Sequence, residues 1–269
     1  MRKYVQTAVL SFKAQIVWRF DTAMTMALCL FQILFAHILW GALFAGRQYI
    51  AGFTRESMMA YAVVSAFLTQ LDLSGGVSGE ISARMRDGTF SKYMVLPMNT
   101  QGYFLAHTAG AAGYYLIFDL LAAGLWMVLF RVSWPVPRDA GLLLLTALMV
   151  VMGLSFMVQL NYLLGILVLK FENIGIFLMI KSNLALFLTG AMIPLALLPQ
   201  GVQAACRVFP FYYVTYLPAM LVIGRFAEES ARGAALQGVA VLSLWLAGVT
   251  ALNTALYERL RVRYDGVGI

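Results

Sequence analysis

Long uncharged runs alternate with short clusters of charge along this chain, and the clusters mark where the runs end. Residues 22–46 carry no charge between Asp21 and Arg47. A second apolar run covers about 57–73 with Asp72 in its last turn, and a third extends from about 101 to 130 around Asp119. Uncharged residues fill much of 140–169. A fifth run starts near 174, contains Lys181 and continues to about 193, and the last, 233–257, lies between Arg232 and Glu258. A helix needs roughly 20 apolar residues to cross the hydrocarbon core, so these runs read as six transmembrane helices, the second somewhat short.

Residues 208–224 are uncharged as well, but Pro210 and Pro218 interrupt them and Pro194 and Pro199 precede them. Proline removes a backbone donor and breaks a helix, and broken backbone at membrane depth is tolerated only where protein or a cavity covers it. The segment 194–225 therefore reads as an outer-side re-entrant or interfacial hairpin between spans five and six. Orientation supports that reading. Six spans put twelve of the 19 basic residues, among them Arg84, Arg86, Lys92, Arg259, Arg261 and Arg263, on one side, and that bias places both termini in the cytoplasm. A seventh span would move the last three arginines outside and weaken it.

Composition agrees: 62% of residues are hydrophobic, 12% are charged, and the mean hydropathy is +0.82. A soluble domain of 269 residues needs more charge to cover its surface. The net charge of +7 is scattered between apolar runs rather than gathered in a patch, so topology explains it better than nucleic acid does. Cys29 and Cys206 sit in apolar stretches and read as small buried hydrophobes, with no disulfide framework or zinc spacing. The first apolar run is too long for a signal h-region and reads as a membrane anchor.

Residues 1–19 read as an amphipathic helix, with Val5, Val9, Phe12 and Ile16 on one face and Arg2, Gln6 and Lys13 on another. The longest polar interruption runs from Ser74 to Thr100 on the inner side. Within it Glu80 and Arg84 are spaced i,i+4, Gly88 suits a helix C-cap, and Pro97 marks a boundary. Its glycines, Gly75, Gly76 and Gly79, lack the following lysine of a phosphate-binding loop, and nothing else in the chain offers nucleotide hydrolysis.

These residues resemble the type-2 ABC transporter permeases, particularly the six-span members with an export role. The resemblance rests on the N-terminal helix and on the loop Glu80…Arg86-Asp87-Gly88-Thr89…Leu96-Pro97. It extends to the turn Gly190-Ala191-Met192-Ile193-Pro194-Leu195…Pro199, the segment Pro210-Phe211-Tyr212-Tyr213…Tyr216-Leu217-Pro218 and the tail Arg261-Val262-Arg263-Tyr264-Asp265-Gly266-Val267-Gly268. It implies an all-α, non-catalytic subunit that pairs with a second, identical or related, permease in a bacterial plasma membrane. Separate ATPase subunits, holding ATP and Mg, would sit beneath, so this chain binds no cofactor itself. By resemblance the loop of about 75–99 is a coupling loop touching the ATPase through Glu80, Arg84, Arg86, Asp87 and Gly88. Residues 1–19 would be a connecting helix, 20–269 a single transmembrane domain, and the outer hairpin, with Pro194, Pro199, Pro210, Tyr212, Tyr213 and Pro218, would help close the far side.

Asp119 and Lys181 are ionisable groups inside spans, costly in lipid, and are expected to pair with each other or with a sister subunit, or to contact cargo. Lys181 has the further option of snorkelling toward the headgroups. Asp72 reads as an interfacial residue. His37 and His107 suggest no metal motif and read as buried, hydrogen-bonded side chains, and Phe209, Phe211, Tyr212, Tyr213 and Tyr216 suit an outer aromatic belt or a cargo lining. A self-sufficient secondary transporter or channel is the alternative, but it predicts paired broken helices in both halves, and the proline-interrupted segment occurs only in the second. A membrane enzyme needs clustered carboxylates, histidines or a nucleophile with its base, which Asp72, Asp119, His37 and His107 do not form.

Overall fold

The computed structural model describes residues 1–130, 137, 139–171, 173–191 and 193–264. Arg131, Arg138, Glu172, Met192 and the tail Asp265–Gly268, used above, lie outside the described residues. The described chain is helical, with a single isolated bridge between Ile50 and Phe53. In order the helices are α1 (Arg2–Val17), α2 (Arg19–Leu43), α3 (Arg55–Leu71), α4 (Gly75–Arg86), α5 (Ser91–Met94) and α6 (Thr100–Phe130). They continue with α7 (Ala140–Ile166), α8 (Gly175–Leu188), α9 (Gln200–Cys206), α10 (Phe211–Val214), α11 (Tyr216–Val222) and α12 (Glu228–Leu260).

Four of these helices, α2, α6, α7 and α12, are long and apolar enough to cross a membrane. The chain is a multi-pass membrane protein. α3 has 17 residues and α8 has 14, about 25 and about 21 Å of helix; α8 is shorter than the apolar run that suggested it, whereas α3 matches its run in length and begins two residues earlier. The fifth run, expected to continue to 193, stops at Leu188 because the chain turns through Gly190, whose φ is +71°. The Tyr61 hydroxyl donates to the Gly190 carbonyl at 2.8 Å and ties that turn to α3.

α7 and α12 form the longest packed pair. On α12 the buried positions Ala231, Ala235, Gly238, Leu242, Val249, Asn253 and Leu260 follow three- and four-residue steps, and Leu142, Thr146, Met149, Gly153 and Phe156 do so on α7. That spacing makes one seam down a helix and suits a shallow crossing with side chains interdigitated. Polar contacts fix its register at both ends. At one end Asp139, which caps α7 by accepting from the Gly141 N–H at 2.9 Å, pairs with Arg232, and this hydrogen bond holds the Asp139 carboxyl below the usual range. At the other, Asn253 donates to the Gln159 carbonyl and side-chain oxygens at 2.9 and 2.8 Å. Residue 139 faces 232 and residue 159 faces 253, so the two helices run parallel.

α1 lies along the first half of α6 and runs in the same direction. Lys3 Nζ donates to the Pro97 carbonyl at 2.8 Å, Ser11 Oγ to the His107 carbonyl at 2.7 Å, and Phe12 meets Tyr114 edge-on. The face that packs shares only Phe12 with the apolar face read from the sequence. Tyr4, Ala8, Ser11 and Phe12 turn toward α6, whereas Val5, Val9 and Ile16 are exposed and left to lipid. Backbones come close at Gly110, where a Cβ would lie 2.1 Å from the Ala8 carbonyl oxygen, and that oxygen belongs to rigid helix. The Ala109…Gly113 spacing contributes less: Gly113 only reaches the Phe12 ring at 4.0 Å.

Gly110→Ala therefore has to push α1 off α6. We expect a loss of about 1–3 kcal/mol, typical of overpacking. The check is protease cutting within residues 1–19 of the detergent-solubilised protein, which should accelerate in the variant; unchanged cutting would mean that α1 tolerates the added methyl.

Candidate docking face and intramembrane polar residues

The 75–99 loop is built around two devices. The first is the end of α4. Thr89 N–H donates to the Arg84 carbonyl at 2.9 Å and Gly88 N–H to the Met85 carbonyl at 3.3 Å, and Gly88 has φ +67°. This is a Schellman C-cap, in which glycine avoids the cost of about 1–2 kcal/mol that a side chain adds in the left-handed region. The cap leaves Ala83, Arg86 and Asp87 exposed, while Val77, Ser78, Ile81, Ser82 and Met85 are buried, mostly against α7.

The second device is Glu80. Its carboxylate accepts from the Tyr93 hydroxyl and lies 3.9 Å from Arg84 Nε and 3.8 Å from Lys92 Nζ. Burial, together with the Glu80 carboxylate, raises the Tyr93 phenol well above the ordinary tyrosine range, so it stays a proton donor. Tyr93 also packs against Phe90, Tyr103 and Phe104, and Phe104 reaches Tyr162 on α7. Glu80 thus braces the loop from within, whereas Arg86 and Asp87 point away from it. The sequence carried the Glu80–Arg84 spacing but gave no sign of Tyr93.

Three distant parts of the chain meet here. Lys3 bonds to Pro97, the Asn99 N–H donates to the Tyr4 hydroxyl at 3.3 Å, and the Ser91 N–H donates to the Tyr264 hydroxyl at 3.3 Å. Tyr264 also stacks edge-on against Phe90. The first turn of α1, the loop and the end of the chain share one side of the molecule.

Asp119 and Lys181 do not meet. Asp119 is 3% exposed at the junction of α2, α3 and α6, where Gln70 Nε2 donates to its Oδ1 at 3.0 Å and leaves Oδ2 without a partner. Gln70 is itself uncharged and sits in an apolar run, so nothing in the sequence marked it. Lys181, on α8, makes no ion pair with Asp119 or Asp72. Asp72 is more than an interfacial residue. Its Oδ1 accepts from the Ser74 N–H and hydroxyl, Ser74 Oγ accepts from Asn161 at 2.8 Å, and Ser78 donates to Asn161 at 3.2 Å. This chain of bonds fastens the α3–α4 break to α7.

A family of ABC-2 family transporter proteins matches residues 28–268, nearly the whole chain. The chain belongs to that family. No curated protein is detectably similar to it. In this ABC-2 family transporter protein the prolines fall where helices break: Pro210 precedes α10, Thr215 separates α10 from α11, Pro218 lies in the first turn of α11, and Pro194 and Pro199 flank a 3-10 turn. Tyr212, Tyr213 and Tyr216 do not form an interfacial belt or a cargo lining. They are at most 7% exposed and pack with Tyr61 into the core, so only Phe209 of the aromatic group is open. His37 and His107 are half-buried, and His107 stacks on Tyr103. Among the described residues no group of histidine, cysteine or carboxylate side chains is arranged to hold a metal, and both cysteines are free and buried.

Tyr93→Phe removes the bond to Glu80 but keeps the ring. Bonds to charged groups contribute about 1.5–3 kcal/mol, and Glu80 is one-third exposed, so we expect a loss of about 1 kcal/mol. Amide hydrogen exchange across 87–94 reads this out: protection should fall there while α12 is unaffected.

Proposed function

We propose that this ABC-2 family member is the membrane-spanning permease subunit of an ATP-driven exporter. It would form the translocation path with a second permease, identical or related, and would be powered by separate cassette ATPase subunits that hold ATP and Mg. The proposal assigns six crossings to α2, α3, α6, α7, α8 and α12, with 1–19 as a connecting helix and 20–269 as one transmembrane domain. Supporting this count, the parallel run of α7 and α12 requires the chain between them to return to its starting side, and the short apolar helix α8 would carry that return, while the other short apolar stretch, Phe211–Val222, is largely buried in the core. Segment 194–225 would then be a re-entrant hairpin on the far side, with Pro194, Pro199, Pro210, Tyr212, Tyr213 and Pro218 shaping it.

The observation that carries the reading is the meeting of α1, the 75–99 loop and the end of the chain on one side, with Arg86 and Asp87 projecting from a braced, capped helix. We assign that side to the cytoplasm of a bacterial inner membrane, in line with the distribution of basic residues. Arg86, Asp87 and the exposed edge at Arg84 and Gly88 would touch the ATPase, and Glu80 would hold their positions. Closure of the ATPase would move α4 as a rigid body, and the bonds through Asn161 would pass that movement to α7.

The test is Arg86→Ala combined with Asp87→Ala in the complex reconstituted with its ATPase. Cargo moved per ATP hydrolysed should fall by roughly tenfold or more, equivalent to about 1.4 kcal/mol of lost coupling. Unchanged stoichiometry would remove these residues from the docking face.

A further inference from the structure

A groove of about 550 Å³ lies between α6 and α7, within the range of small-molecule sites. It runs beside α6 from Leu105 to Leu120 and beside α7 from Leu143 to Val158, 15 residues or roughly 22 Å along each helix. That is longer than one leaflet of the hydrocarbon core, roughly 15 Å. The walls are aliphatic, with Leu71, Leu116, Val150 and Leu154 typical, and no aromatic ring lines it among the described residues. Its hydroxyls on α7 are spent: Thr146 and Ser155 donate to the Leu142 and Val151 carbonyls one turn back.

The one charge on the wall among the described residues is Asp72, the C-terminal cap of α3. Its Oδ1 is taken by Ser74, while Oδ2 receives no hydrogen bond among the described residues. A long, narrow aliphatic trough suits a flexible alkyl chain better than a planar ring. A lone carboxylate on its wall, in a low-dielectric surrounding, selects a cation over a neutral or anionic group.

We propose that the α6–α7 groove binds a single-chain amphiphile, its alkyl chain along the helices and its amine against Asp72. The site deepens the permease reading by naming a ligand class. Because binding belongs to this chain alone, its failure would leave the ATP-driven reading untouched.

The experiment measures saturable binding of radiolabelled dodecylamine to the protein in lipid nanodiscs, with dodecanol and dodecyl sulfate as competitors. The wild type should prefer the amine by roughly tenfold over the alcohol. Asp72→Asn should abolish that preference, and Ala147→Phe, which fills the trough, should eliminate saturable binding. Each variant is first required to elute as the wild type does on size exclusion. Three results would overturn the proposal: equal affinity for amine and alcohol in the wild type, which would mean an ordinary lipid chain; no saturable binding at all; or an amine preference that survives Asp72→Asn.

Discussion

The parallel seam between α7 and α12 is the constraint on which the rest of the structure depends. Two helices that run the same way cannot be joined by a short turn, so residues 167–227 have to carry the chain back across the molecule. Within that stretch α8 is one short apolar helix with no buried residue, and the remainder breaks into α9, α10 and α11. Those pieces are held by packing rather than by length. Tyr212, Tyr213, Tyr216 and Leu217 fill the space between α3, α7 and α12, and their burial covers backbone that the prolines leave outside regular helices. If the seam slipped by a turn, Gln159 would lose Asn253 and Asp139 would lose Arg232 together.

Polar bonds on the loop side show how a membrane protein makes a stiff lever. Hydrogen bonds between helices in lipid average only about 0.6 kcal/mol, so no single one holds α4 in place. The linked set Asn161–Ser74–Asp72, with Ser78 beside it, constrains the α3–α4 break from several directions. Beyond the break Glu80 gathers Tyr93, Arg84 and Lys92, and the Gly88 cap ends the helix where Arg86 and Asp87 face outward. The lever is fixed to α7 along its length and bare at its tip. Asp72 belongs both to this anchorage and to the α6–α7 groove, which links a candidate ligand contact to α4, the helix that ends at the proposed ATPase contact.

Much of this was legible in residue order. Runs bounded by charge located α2, α6, α7 and α12 to within a few residues, because crossing lipid imposes length and apolarity together. The prolines of 194–225 correctly excluded a simple helix there. What the residues did not reveal were partners. An aromatic side chain at a membrane surface and one in a core have the same composition, so the burial of Tyr212 and Tyr216 had no signature. The α1–α6 contact is made by small residues such as Ala8 and Gly110, which carry no hydrophobic periodicity. Gln70, the partner of Asp119, is an uncharged residue in an apolar run, and the intramembrane charges drew attention to each other instead.

The central claim is that the loop side of this molecule is where an ATPase docks. Cysteine placed at Asp87 in the membrane-embedded complex tests it directly, because Cys29 and Cys206 are buried and contribute little background. The account predicts a cross-link from position 87 to the ATPase and none from Tyr49, which lies at the opposite end of the molecule and is exposed. Labelling of position 87 by an impermeant thiol reagent added outside the cell, or a cross-link from position 49 alone, would contradict it.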